Sequence, residues 1–184
     1  MLIAFSAPSI LYIGILAIRR VPFSESRRNV GWMLCKWSDV LRALGIFVVL
    51  ALISFFVLKF IPSQLLNSSS QYAGQSLSVR SILAALANEA FYVALGEEIF
   101  FRGFLGNWLF RRIGFRLGNL IQATIFLLPH LLLLNISSAI WPVFIVQLCA
   151  GWLQGWLLYK SKSIFPGWLV HTASNLASAI SIMA

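Results

Sequence analysis

Gly96-Glu97-Glu98-Ile99-Phe100-Phe101-Arg102-Gly103 sets two carboxylic acids and a guanidinium inside an otherwise apolar stretch. The chain has only 5 acidic residues and 2 histidines, so each one placed among apolar neighbours calls for an explanation. The histidines are His130, ending Phe126-Leu127-Leu128-Pro129-His130, and His171, heading His171-Thr172-Ala173-Ser174-Asn175. At helical spacing Glu98 and Arg102 stack on one face as an ion pair, while Glu97 turns toward a neighbouring stripe and stays free. His171 and Asn175 fall one turn apart on a shared face. Peptide hydrolysis needs a base to activate water, donors for the oxyanion and an acid for the leaving amine. Glu97 with His130 could hold and deprotonate a water, and His171 with the Asn175 amide could donate to the developing oxyanion. Glu98 and Arg102 would support Glu97 from behind. The residues alone leave plainer readings open: a charge cluster that locks helix packing for the first motif, and hydrogen-bonded packing residues for the other two.

The elements that must position these groups are membrane helices. Of 184 residues 60% are hydrophobic and 10% charged, and the mean hydropathy is +0.88, outside the range of soluble globular domains. Placing an ionisable group in mid-bilayer costs about 2.5–3.5 kcal/mol on insertion scales, so such groups face a cavity or each other. The apolar runs predict an all-α, polytopic bundle of about six membrane-spanning helices, over roughly 2–18, 41–61, 82–109, 117–135, 141–159 and 164–183. The run 2–18 has no basic residue before it and Arg19-Arg20 after it, which predicts a retained helix rather than a cleaved leader. Two regions are expected. Residues 1–80 hold N-terminal helices, a basic loop and a polar loop, and residues 81–184 hold the core that carries all three motifs.

A net charge of +9 would, in a soluble chain, raise the question of nucleic acid. Its distribution answers it. Arg19, Arg20, Arg27, Arg28, Lys36, Arg42, Arg111, Arg112, Arg116, Lys160 and Lys162 fall on one side of the expected bundle, and only Lys59 and Arg80 on the other. This asymmetry predicts cytoplasmic basic loops, both termini outside, and a setting such as a bacterial plasma membrane, with the bilayer and no nucleic acid as partner. Cys35 and Cys149 are kept apart by that topology and are expected to be free. The loop 62–80 reads as external, with Ser78 or Ser81 capping the third long helix. Pro129 should kink its helix beside His130. Counted from the cytoplasmic ends, Glu97, His130 and Asn175 lie at similar depths of roughly 17–20 Å, which predicts one shared polar cavity.

In this order on successive helices, Glu97-Glu98-x-x-x-Arg102, Phe126-x-x-x-His130 and His171-x-x-x-Asn175 resemble the CPBP family of intramembrane proteases, which includes CAAX prenyl-protein endopeptidases and bacteriocin-processing or self-immunity (Abi) proteins. The resemblance covers about residues 82–184. It implies a glutamate-dependent peptidase acting on a membrane-associated protein or peptide. Glu97 and His130 would activate water, His171 and Asn175 would stabilise the oxyanion, and Glu98, Arg102 and Phe126 would support them. No cofactor is expected, but Glu97, His130 and His171 would also satisfy a divalent metal such as zinc, so metal dependence stays open at this point. The alternative is a non-catalytic immunity or scaffold protein of the same fold. A small transporter would need a polar path, for which only Glu89, Asn119, Gln122, Gln147 and Gln154 remain.

Overall fold

With no water to satisfy its backbone, a chain this apolar must close its hydrogen bonds within helices. The computed structural model describes residues 2–68 and 70–184 and has no strand among them. The helices are α1, Leu2–Ile18; α2, Phe23–Asn29; α3, Trp37–Val57; α4, Ser63–Ser68; α5, a continuous 35-residue helix over Val79–Ile113; α6, Phe115–Leu127; α7, Pro142–Ser161; and α8, Phe165–Met183. Ser78 caps α5 as expected, its hydroxyl accepting the Ser81 N–H at 3.1 Å. Gly114, at φ +79°, makes the break between α5 and α6 that an L side chain would resist. Beyond α6 the backbone tightens into a 3-10 helix, Leu128–Asn135, at Pro129, because proline removes one backbone donor and crowds the preceding turn.

Four helical stretches are long and apolar enough to cross a membrane, beginning at Trp37, Val79, Phe115 and Ser138. The other two expected spans stand apart from these. α1 is apolar but only 17 residues long, and the polar side chains of His171, Thr172, Ser174 and Asn175 lower the hydropathy of α8. Leu44, Val48, Leu52 and Phe55, all at least half exposed, form one stripe along α3. Water does not tolerate such a stripe, and lipid does. The molecule is an integral membrane protein.

The core is built by close helix approach. α7 packs between α6 and α3, and α8 lies against α3, α7 and the first half of α5. α1 runs along the middle of α5, so the N-terminal helices join the same body as the motif-bearing ones. On α7, Gly151 and Gly155 form a small-residue stripe facing α6. A Cβ at Gly151 would stand 3.2 Å from Ala123, and one at Gly155 would strike the Asn119 amide. Asn119 and Gln122 on α6 then donate to the carbonyls of Trp152 and Gly151 at 3.0 and 3.2 Å. These bonds tie helices together, and both side chains are fully buried between them.

Candidate active site

The site begins with an irregularity in α5. Its α-helical bonding gives way to π-helix over Asn88–Ala94 and again over Glu98–Gly106, with one α-helical turn, Leu95–Glu97, between them. Such turns are rare, widen the helix and gather at functional sites. Neighbouring helices hold them in place. The Trp168 indole of α8 donates to the Ala90 carbonyl at 2.7 Å, and the Ser9 hydroxyl of α1 to the Ile99 carbonyl at 3.2 Å.

Within the second π segment Glu98 and Arg102 form the expected ion pair at 3.2 Å, both side chains fully buried. Arg102 also donates to the Gln154 amide oxygen of α7, and its guanidinium lies 4.1 Å from the centre of the Phe126 ring. A buried cation is thus matched by a carboxylate, an amide and an aromatic face. From the sequence alone Gln154 stands only as a possible path liner, because the pairing of helices cannot be read from spacing along one of them.

His171 stands between the two glutamates. Its Nδ1 is 3.0 Å from Glu98 Oε1, and its Nε2 is 3.7 Å from Glu97 Oε2. A ring facing a carboxylate on either side can donate from both nitrogens only as the imidazolium. Glu97 is the less buried of the two acids, with a side chain 13% exposed, and its carboxylate lies beyond hydrogen-bond distance of His171 Nε2.

His130 reaches the site from the 3-10 segment. Its Nδ1 lies 3.0 Å from the Phe126 carbonyl, an acceptor, which places the proton on Nδ1 and leaves the Nε2 lone pair free. His130 and Glu97 line one cavity of about 320 Å³, otherwise walled by apolar groups that include Phe5, Phe101 and Leu133. Glu97 also lines a second, more polar cavity of about 680 Å³ with Asn175, Glu89 and Tyr72. Glu97 therefore belongs to both chambers, with a histidine on one side and an amide on the other. The single cavity expected from helix depth is two cavities that share one carboxylate.

Asn175 is engaged by a residue that the motifs did not single out. Its Nδ2 donates to Glu89 Oε2 at 2.9 Å, and Glu89 Oε1 accepts from Tyr72, Gln71 and Asn88 at 2.6, 3.0 and 3.1 Å. The loop read as external thus sends the Tyr72 ring into the bundle and lays the exposed Gln71 against Glu89. A signal for Glu89 was present, since it is another acid in the same apolar helix and carries the same insertion cost.

The metal alternative does not fit this arrangement. Among the described residues no three His, Cys, Asp or Glu side chains converge where they could hold an ion. The imidazole nitrogens of His171 face the two carboxylates, and Nδ1 of His130 faces a carbonyl.

No curated protein and no solved structure matches the chain significantly. A family model, that of the type II CAAX prenyl endopeptidase Rce1-like proteins, matches residues 79–177. The matched segment begins at the capped start of α5 and ends just past Asn175, so it contains all three motifs and both π segments. It spans more than half of the chain, and the chain belongs to the type II CAAX prenyl endopeptidase Rce1-like family.

Proposed function

We propose that the chain is an intramembrane endopeptidase that hydrolyses a peptide bond of a membrane-associated protein or peptide, with Glu97 as its general base. The observation that carries this reading is the position of Glu97: a partly exposed carboxylate, beside His171, forming a wall of both cavities. Family membership supports the reaction class.

In the proposed reaction a water sits in the cavity shared by Glu97 and His130. The free Nε2 of His130 accepts one of its hydrogens, and Glu97 removes the other as the water oxygen bonds to the scissile carbonyl carbon. The carbonyl electron pair moves onto oxygen, and the oxyanion accepts from His171 Nε2–H and from the second N–H of Asn175. The C–N bond then breaks, and the proton held by Glu97 passes to the leaving nitrogen. Glu98, itself paired with Arg102, holds His171 in place through Nδ1. The apolar lining beside His130 would receive a bulky apolar group of the substrate. Basic loops would face the cytoplasm, with both termini on the opposite side.

The test is cleavage of membrane-anchored substrates by purified wild type and Glu97→Gln, followed by mass shift with and without a divalent-metal chelator. Glu97→Gln should lose turnover by about 100-fold or more while remaining folded, and chelator should leave the wild-type rate unchanged. If both proteins are folded and equally inert across substrates, the non-catalytic immunity or scaffold reading replaces this one.

A further inference from the structure

Glu89 is 4% exposed and lies about two helical turns, roughly 12 Å, before Glu97 on α5, too far along the helix to serve the same water. It nevertheless collects four donors: Tyr72, Gln71 and Asn88 on one carboxylate oxygen and Asn175 on the other. A buried carboxylate is a costly way to knit helices together when a neutral amide would do. The one thing a carboxylate adds is direction, because both of its oxygens only accept. An asparagine amide has two nearly isosteric ends, and beside an ionised carboxylate only the nitrogen end is favourable. Held this way, Asn175 gives one N–H to Glu89 and keeps the other for the cavity it shares with Glu97. Turned over, it would present a carbonyl oxygen where an oxyanion must be stabilised.

We propose that Glu89 is a positioning residue for the reaction: its carboxylate holds the Asn175 amide nitrogen-first, and Gln71 and Tyr72 of the α4–α5 loop complete the clamp. This rests on the reading of Asn175 as an oxyanion donor. It also gives a role in the site to a loop that lies outside the family-matched segment. The clamp is durable. Burial, and next the hydrogen bond to Glu89, push the Tyr72 phenol from 10.0 up to about 12, so it remains a donor at any ordinary pH.

The test is a double-mutant cycle on turnover combined with hydrogen–deuterium exchange over residues 71–78. Glu89→Gln should lower kcat by about 10-fold, with KM changed less than about two-fold, since the ground state does not use the oxyanion donor. In an Asn175→Ala background the same change should lower kcat by less than about two-fold, because its effect passes through Asn175. Tyr72→Phe, which keeps the ring packing, should act in the same direction and more weakly, and it stands in for Glu89→Gln if that variant does not fold. Equal losses of kcat in both backgrounds, or a change in KM alone, would overturn the proposal. Exchange separates this failure from failure of the enzyme reading. If the wild type cleaves nothing, Glu89→Gln should still speed exchange in the loop while Glu97→Gln does not, and identical exchange in all three proteins would show that no clamp exists.

Discussion

Removing one partner from a dry ion pair leaves a charge with nowhere to go, and Arg102 with Glu98 is such a pair. Arg102→Met strips Glu98 of its guanidinium, leaving it only the His171 ring, and should cost about 3–5 kcal/mol of stability. The double variant Glu98→Gln/Arg102→Met removes both charges and should recover a substantial part of that loss. Thermal unfolding in detergent gives the comparison. A double variant no more stable than Arg102→Met would mean that the polar partners, Gln154 and His171, hold the site rather than the charge pair. The groups involved were legible in the sequence because acids and histidines are scarce and their surroundings apolar. The partners of His171 and Asn175 were not. Which carboxylate an imidazole or amide meets depends on how α8 is rotated against α5, and one helix's own spacing carries no information about that rotation.

Elements explain why such partners come within reach. Spacing at 100° per residue put Glu98 and Arg102 on one face, and they do meet, yet the helix between them is π-helical. No residue type announces a π turn, and here it is fixed by contacts from α1 and α8, so it could not be read in advance. Helix lengths, the Ser78 cap and the break at Pro129 depend on local chemistry and were readable. The α6–α7 seam lies between these cases, because the Gly151-x-x-x-Gly155 spacing is visible but its facing helix is not. A Cβ at position 155 would stand 1.9 Å from Asn119 Oδ1, and Asn119 is fully buried and bonded to Trp152, so it cannot swing away. Gly155→Ala should therefore destabilise the protein by about 1–3 kcal/mol. Gly45, exposed on α3 with nothing within 4 Å of its would-be Cβ, is the control. Gly45→Ala should be neutral or stabilising by up to about 1 kcal/mol. Equal melting temperatures for the two variants would mean that α6 and α7 do not approach as closely as described.

At the scale of the whole molecule, lipid and charge decide orientation. The exposed stripe on α3 and the apolar lengths of the four long spans require a bilayer, but they are symmetric with respect to its two sides. Only the basic residues break that symmetry, and nearly all of them lie beside the α1–α3 connection and the turns after α5 and α7. The two cysteines make this arrangement measurable. Both are free and partly exposed, Cys35 in the basic connection before α3 and Cys149 in the middle of α7. A membrane-impermeant maleimide applied to intact cells should leave both unlabelled, and after permeabilisation it should label Cys35 alone, since Cys149 lies in the middle of a membrane-spanning stretch and packs against the core. Labelling of Cys35 in intact cells would invert the proposed topology. The chamber holding Glu89 and the Tyr72 loop would then open toward the cytoplasm, and a substrate would have to be sought on that side. The chemistry assigned to Glu97 would be unchanged, because the pairing of His171 with its two carboxylates does not depend on which way the bundle faces.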